Sequence, residues 1–402
     1  MTRLSSGSEG RLAALLISPE APYPPVGGGA LRAASFAEYL GRRYELDLIL
    51  FHEPGCPNPA RSIPEGLARN ALVVPLPRHS RGLVARGARN LARALRSRPP
   101  LNDRFEGFGE LIRDFLDGRR YRVAVLEHFW SATYREQVQP HSETVVLDLH
   151  NVESTLLGSY ATAGGWPERW MFRRFQAGCL SLEKQWLPRF DLVLAVSAAD
   201  SEKLKRISPL SRIEAVPNTI PLVPQPNEPE EHAILFSGNL GYWPNLEGIR
   251  YFRSRVWPGL RKRWPGLVWR IVGKNPEAVR PYVGGDSRID LLGPVEDAIG
   301  ELSKAKVVVA PIFAGSGTRV KIIEAWAAGR AVVSTSLGSE GLGAQHKQHL
   351  LIAETAEDFA EAVSSLLESK SLRLRLGSAG RNLFETSLTW QNAWKRLAEI
   401  GI

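Results

Sequence analysis

Short runs rich in Val, Ile and Leu alternate along the whole chain with longer stretches whose apolar positions recur every three or four residues. The first pattern is that of strands, the second that of helices packed by one face. In the first half the predicted strands are LAALLIS, LDLILF, LVVPL, RVAVLEH, TVVLDLH and DLVLAVS. Several are apolar at consecutive positions, as strands buried on both faces of a parallel sheet must be. The second half restarts the alternation with AILFSG, VWRIVG, IDLLG, KVVVAPI, RAVVST and LLIAE. Between the halves, PLVPQPNEPEEH concentrates four prolines and three glutamates, a composition that prevents regular structure and reads as a linker. The pattern predicts an α/β chain of two doubly wound domains facing across a cleft. Such sheets bind ligands beyond the carboxyl ends of their strands, so the chemistry should lie just after a strand.

Length agrees, because 402 residues are too many for one ordinary core and suit two. A content of 44% hydrophobic and 23% charged residues is that of a globular protein rather than a disordered one. Cys56 and Cys179 lack metal-site spacing and are too few for a disulfide framework, which fits a reducing cytoplasm. No run approaches the roughly 18 apolar residues of a membrane span, and the start of the chain does not read as an export signal. The formal charge of +9 calls for an anionic partner: nucleotide, nucleic acid or acidic lipid.

The loops after the strands carry the candidate chemistry. Gly27, Gly28 and Gly29 precede a helix beginning near Ala30, where bare backbone N–H groups could meet an anion. The segment is neither a GxGxxG fingerprint nor a P-loop, and a plain strand-to-helix turn explains it equally. The next candidates are Glu127 and His128 at one strand end and Asp148, His150 and Glu153 at another, which pair carboxylates with imidazoles. A histidine there can exchange hydrogen bonds with a substrate hydroxyl near neutral pH. In the second half, Gly238, Asn239 and Gly241 make a tight loop before a helix starting at Pro244 or Asn245; Gly273, Lys274 and Asn275 follow the next strand, and Gly293 and Val295 the one after. The segment PIFAGSGTRVKIIEAWAAGRAVVST places Gly315, Ser316 and Gly317 before a helix with Ser316 as its N-cap. Its Lys321 and Glu324 are i, i+3 neighbours, which as a surface ion pair would matter little. Cations in a first helical turn oppose the macrodipole, however, which points to an anion bound by Arg319 and Lys321. Trp390 and Trp394, at i, i+4 spacing near the end of the chain, read as packing residues.

Taken in order, PPVGGGALRA, DLHNVES, VSAADSEKL, AVPNTI, FSGNLGYWPNLEGIRYF and the long segment from LLGPVEDAIG to RAVVST resemble the retaining glycosyltransferases of family 4, over nearly the whole chain. The resemblance implies a GT-B fold, with an acceptor-binding domain at 1–221, a linker at 222–232, a donor-binding domain at 233–378 and a C-terminal helix at 379–402 packing back on the first domain. It implies transfer of a sugar from a nucleoside diphosphate sugar, UDP- or GDP-linked, to a glycan or lipid-linked acceptor. Glu324 would bind the ribose hydroxyls, His150 would sit beside the transferred sugar, and Gly28 and Gly29 would close over phosphates or acceptor. Gly238, Asn239, Gly241, Gly273, Val295, Ser316, Gly317 and Thr318 would complete the donor site, with Glu127, His128 and Asp148 on the acceptor side. Two departures stand out. The family often has a second glutamate where this chain has Ser316, and GNLGYWPN lacks the Arg and Lys often supplied there. Arg319 and Lys321 are expected to replace those cations as the catalytic charges. No Asp-x-Asp pair stands ready to hold a divalent ion, so metal-independent transfer is expected, with no cofactor beyond the donor.

Between Arg78 and Pro100 lie seven arginines and no acid, with Leu83, Val84, Leu91 and Leu95 available for an apolar side. A basic amphipathic helix over 78–98 reads as a contact for anionic lipid, which would place a cytoplasmic protein peripherally on the inner face of a membrane. A solvated helix with an arginine excess explains it equally well. Nucleic acid fits less well, because the patch lacks interleaved aromatics. A nucleotide-sugar epimerase and a non-catalytic basic binding protein remain the alternative functions.

Overall fold

The computed structural model describes residues 12–78, 82–163, 165–315 and 319–402. They form two compact units. Of these described residues, the first contains those up to Ser154 with Trp170–Leu194 and Leu204–Glu214; the second contains those of Thr155–Arg169, Ala195–Lys203 and Ala215–Ile402.

The first unit is built on seven strands: β1 (Ala13–Ser18), β2 (Glu45–His52), β3 (Asn70–Pro75), β4 (Tyr121–Glu127), β5 (Ser142–Asp148), β6 (Leu192–Ala195) and β7 (Ile213–Ala215). Their order across the sheet is β3-β2-β1-β4-β5-β6-β7. Leu15, Leu16, Leu48, Ile49, Val125 and Leu126 are fully buried, as the unbroken apolar runs require. Six of the strands are those predicted. β7 escaped prediction because three residues are too few to show a period. β1 pairs in parallel with β2 on one side and β4 on the other, so the chain changes direction across the sheet at that point.

The second unit repeats the plan with β8 (Glu231–Ser237), β9 (Val268–Val272), β10 (Ile289–Gly293), β11 (Ala305–Ala310), β12 (Ala331–Ser334) and β13 (Leu351–Ile352), in the order β10-β9-β8-β11-β12-β13. All neighbouring strands here are parallel, and the change of direction falls between β8 and β11. Residues 221–230, which hold the prolines, have no regular structure.

The helix Val320–Ala327 is apolar almost all round, with Val320, Ile322, Ile323, Ala325, Trp326 and Ala327 buried, so it packs inside the unit rather than on its surface. The helix Lys370–Ser387 closes over it, and Gly380 lies so near the Trp326 indole that any side chain there would collide with the ring. Trp390 and Trp394, in the final helix Trp390–Glu399, are buried with ring centroids 6.1 Å apart. Backbone hydrogen bonds at both sides of Ile220, to Leu388 and Trp390, tie that helix to the strand-like stretch before the prolines.

Candidate functional site

Each unit gathers polar groups where its sheet changes direction, the place where two neighbouring strands send their connections to opposite faces and leave a crevice. In the second unit that crevice lies beyond β8 and β11. Gly238 follows β8 with φ 147°, and a Cβ there would come within 3.0 Å of both Lys321 Nζ and Asn245 Nδ2. Lys321 is carried inward by its buried helix. Its ammonium donates to Asn245 Oδ1 at 2.7 Å and lies 4.0 Å from the centre of the Phe236 ring. Asn245 in turn donates to the Asn239 carbonyl at 2.7 Å. Asn239 Oδ1 accepts from Gly241 N at 3.1 Å and from Asn275 Nδ2 at 2.8 Å, while Gly273 N donates to the Gly293 carbonyl at 2.7 Å. The loops after β8, β9 and β10 are thereby held as one platform. Val295 is half-buried two residues past Gly293.

This cluster is a dry place for charge. Burial, reinforced by the nearby Arg319 charge, lowers Lys321 to about 7. Burial raises Glu324 to about 7, against the opposing pull of Lys321. Arg319 is lowered by burial, partly offset by Tyr242, Glu340 and Asp200. A Cβ on Gly315, whose φ is 109°, would lie 3.1 Å from the Arg319 guanidinium, so that loop also approaches the cations. Lys321 is therefore a buried lysine held through an amide and an aromatic face, not one side of a surface ion pair with Glu324. The helix begins at Val320 with Arg319 as its N-cap residue, later than a start capped by Ser316, because the apolar stretch that packs it begins there. Ser316, Gly317 and Thr318 lie outside the described residues.

In the first unit the crevice lies beyond β1 and β4, with β5 alongside. Asp148 ends β5 fully buried, and Arg32 grips it from the helix Gly28–Arg43, Nε to Oδ2 at 2.6 Å and the second guanidinium nitrogen to Oδ1. Burial would raise this carboxyl, but Arg32 outweighs it and holds Asp148 low. His150 Nε2 lies 3.4 Å from Asp148 Oδ2 and 3.8 Å from Glu127 Oε1. Burial alone would lower its imidazolium, yet hydrogen bonding and charge from Asp148 and Glu127 raise it to about 9. Glu127 is fully buried and raised by burial, with His150 pulling the other way. His128, at φ 64°, is turned out of the strand and held by its N–H to the Asp148 carbonyl at 2.8 Å. Its ring stacks between His150 at 3.6 Å and Trp130 at 4.3 Å, and burial keeps it well below the ordinary imidazole value. A strained non-glycine residue of this kind persists only where surrounding contacts enforce it.

Glu127, Asp148 and His150 are the described residues whose ligand-type atoms could together hold a cation, all within 4.8 Å of one another. Arg32 and the His150 imidazolium already supply two positive charges to two carboxylates there, so a further cation would be poorly matched. The Gly27–Gly29 turn meets its own anion: the Glu20 carboxylate lies against Gly29, where a Cβ would strike it, and His128 Nε2 is 3.6 Å from Glu20 Oε1. Glu153 opens the next helix and is raised to about 7 by burial and by the charge of Glu183. Sequence reasoning missed Arg32 and Glu20. The available signal for Arg32 was its setting among Ala30, Ala33, Ala34 and Phe36, too apolar a neighbourhood for a solvated arginine.

Two parallel-sheet, Rossmann-like domains of this order define the GT-B fold. Along 97% of its length the chain superposes on the sucrose-phosphate synthase of Thermosynechococcus elongatus, covering 98% of that chain with a TM-score of 0.73 at 18% identity. It likewise matches Anabaena HepE in complex with UDP and glucose, over 97% of this chain and 99% of that one, with a TM-score of 0.68 at 14% identity. A third match is WaaG, a glycosyltransferase involved in lipopolysaccharide biosynthesis, over 97% and 99% of the two chains, with a TM-score of 0.62 at 13% identity. In sequence, residues 231–369 match the family model "Glycosyl transferases group 1". An uncharacterized 44.6 kDa protein in the cps region of Klebsiella pneumoniae is 30% identical over 139 residues, 32% of this chain and 36% of that one, so the match spans about a third of the relative. The group 1 segment contains the Gly238 loop, Lys321 and Glu324.

Proposed function

We propose that the protein is a retaining glycosyltransferase that moves a hexosyl group from a UDP- or GDP-linked sugar to a glycan or lipid-linked acceptor without a metal ion. The observation that carries this reading is the buried Lys321 ammonium, aimed at the side-chain-free Gly238 turn and held, among the described residues, by a neutral amide at hydrogen-bonding distance and by the face of a ring. It lies inside the segment that matches group 1 glycosyltransferases, three residues before Glu324.

When the bond from the anomeric carbon to the diphosphate breaks, negative charge grows on the departing oxygen, and fixed cations in a dry crevice stabilise that charge without reorganising. Lys321 acts as a compact charge and Arg319 as a planar donor for two phosphate oxygens. Glu324 accepts from the ribose hydroxyls. His150 donates to the transferred sugar as an imidazolium, fixed by Asp148 and Glu127. Retention requires the acceptor hydroxyl to arrive on the face that the diphosphate leaves. UDP-bound relatives of the same fold support the choice of donor class.

Thermal shift with UDP and with GDP tests the donor assignment: a rise in melting temperature that is lost in Glu324→Ala is expected, and no rise with either nucleotide would favour a non-catalytic binding protein. Incubating UDP-glucose without acceptor separates transfer from epimerisation, which would yield an isomeric nucleotide sugar. Turnover that survives EDTA is expected, and an absolute need for added Mg²⁺ or Mn²⁺ would overturn the metal-independent reading.

A further inference from the structure

Sugar transfer makes no use of the basic segment. Its helix, Leu83–Leu95, reads LVARGARNLARAL and contains no acid. Helical spacing puts Val84, Ala88, Leu91 and Leu95 on one stripe. That stripe faces solvent, with Val84 87%, Leu91 53% and Leu95 62% exposed. The inward face holds Ala94, fully buried, and Arg93, whose Nε donates to Asp103 at 2.8 Å. A surface helix ordinarily does the reverse, burying its leucines and solvating its arginines. Arg93, expected among the charges available to a partner, is instead what anchors the helix.

The mounting is rigid. Arg174, on the helix Trp166–Trp186, donates to the Ala94 and Leu95 carbonyls at 3.2 and 3.1 Å, and Gly178 of the same helix packs directly on the Ser97 carbonyl. One turn before Arg174 is the 39% exposed Trp170, and Arg173 is exposed beside it. To one side of the apolar stripe Arg96 is exposed and Arg89 half-buried, while Arg86 is exposed on the same face as Arg93. No helix among the described residues is long and apolar enough to cross a membrane.

We propose that this face lies on an anionic lipid surface, with Val84, Leu91 and Leu95 in the acyl boundary and Arg89 and Arg96 extending to the headgroup phosphates from one side. An apolar stripe bordered by arginines that can extend to the interface is what such a surface selects. A second copy of the chain would bring arginines against arginines, so charge favours lipid over self-association.

Flotation of the full chain with phosphatidylglycerol-containing vesicles tests this, with pure phosphatidylcholine vesicles as the comparison. Binding to the anionic vesicles alone, weakened by added salt, is expected. Arg89→Gln and Arg96→Gln should each reduce partition about fivefold. Leu91→Ser with Leu95→Ser should reduce it at least about tenfold while leaving the melting temperature and UDP-glucose binding unchanged, because both side chains are exposed. Equal recovery with neutral vesicles, absence of binding, or undiminished binding of the leucine pair would overturn the proposal. So would a dimer in light scattering that the leucine pair dissociates, since the face would then belong to a second copy.

Discussion

The two crevices solve the problem of buried charge in opposite ways. In the first unit Arg32, Asp148, His150 and Glu127 form a cluster of two cations and two carboxylates, so most of the compensation is internal. In the second, Lys321 is buried against an amide and a phenyl ring, and burial pushes both it and Glu324 toward 7. A cluster that neutralises itself maintains a shape. A cation held at that desolvation penalty would be relieved by an anion supplied from outside, as the proposed donor site requires.

The contrast is broken most readily at Arg32. Arg32→Met would leave Asp148 buried without its bidentate partner and should lower stability by about 3–5 kcal/mol in denaturant unfolding, with UDP-glucose still bound by the folded fraction. Lys321→Met should do the converse. Removing a desolvated cation leaves stability within about 1 kcal/mol of the parent, while turnover falls about 10²- to 10³-fold in a donor-hydrolysis or transfer assay. If Lys321→Met unfolds the protein or leaves turnover intact, the second crevice is not a ligand-compensated site.

Glu153 sharpens the comparison, because its buried neighbour in the first unit is another acid, Glu183. Its carboxyl is raised to about 7, so the native state keeps a proton that the unfolded chain has lost above its ordinary value of 4.5. Stability from this group is present at low pH and is lost as pH rises through that window, by about 3 kcal/mol. Glu153→Gln should flatten the dependence and raise the melting temperature at pH values above 7; an unchanged slope would mean that the pair is already solvated.

The smallest effect is the most diagnostic of the second crevice. A diphosphate favours charged Lys321, so above pH 7 binding must take up a proton and should weaken about tenfold per pH unit. Ribose hydroxyls favour ionised Glu324, so below pH 7 binding must release one and should weaken likewise. Calorimetry with UDP-glucose should give affinity peaking near neutrality. Lys321→Met should remove the alkaline limb and Glu324→Gln the acidic one, whereas a flat profile would separate these two residues from the nucleotide.

The strands were legible because buried parallel strands must be continuously apolar, and twelve of the thirteen were found; the three-residue β7 carries no period to read. The meeting of Glu127, His128, Asp148 and His150 was also legible, since adjacent parallel strands bring their carboxyl ends to one rim. Less visible were the direction and partner of single polar side chains. Arg32 looked like any helical arginine until its helix was seen to be buried along most of its length. Glu20 lies nine residues before Gly29 and meets it only because the turn folds back.

The sequence by itself determined two parallel α/β sheets and the positions after strands where polar residues collect. Hydrophobic period and turn chemistry act over a few residues, so a linear reading contains them. Tertiary packing decided which charges are dry. Lys321 is dry because the Val320–Ala327 helix is enclosed, whereas Leu91 and Leu95 reached solvent because Arg93 found Asp103. Burial depends on what approaches from elsewhere in the chain, and no local pattern encodes that.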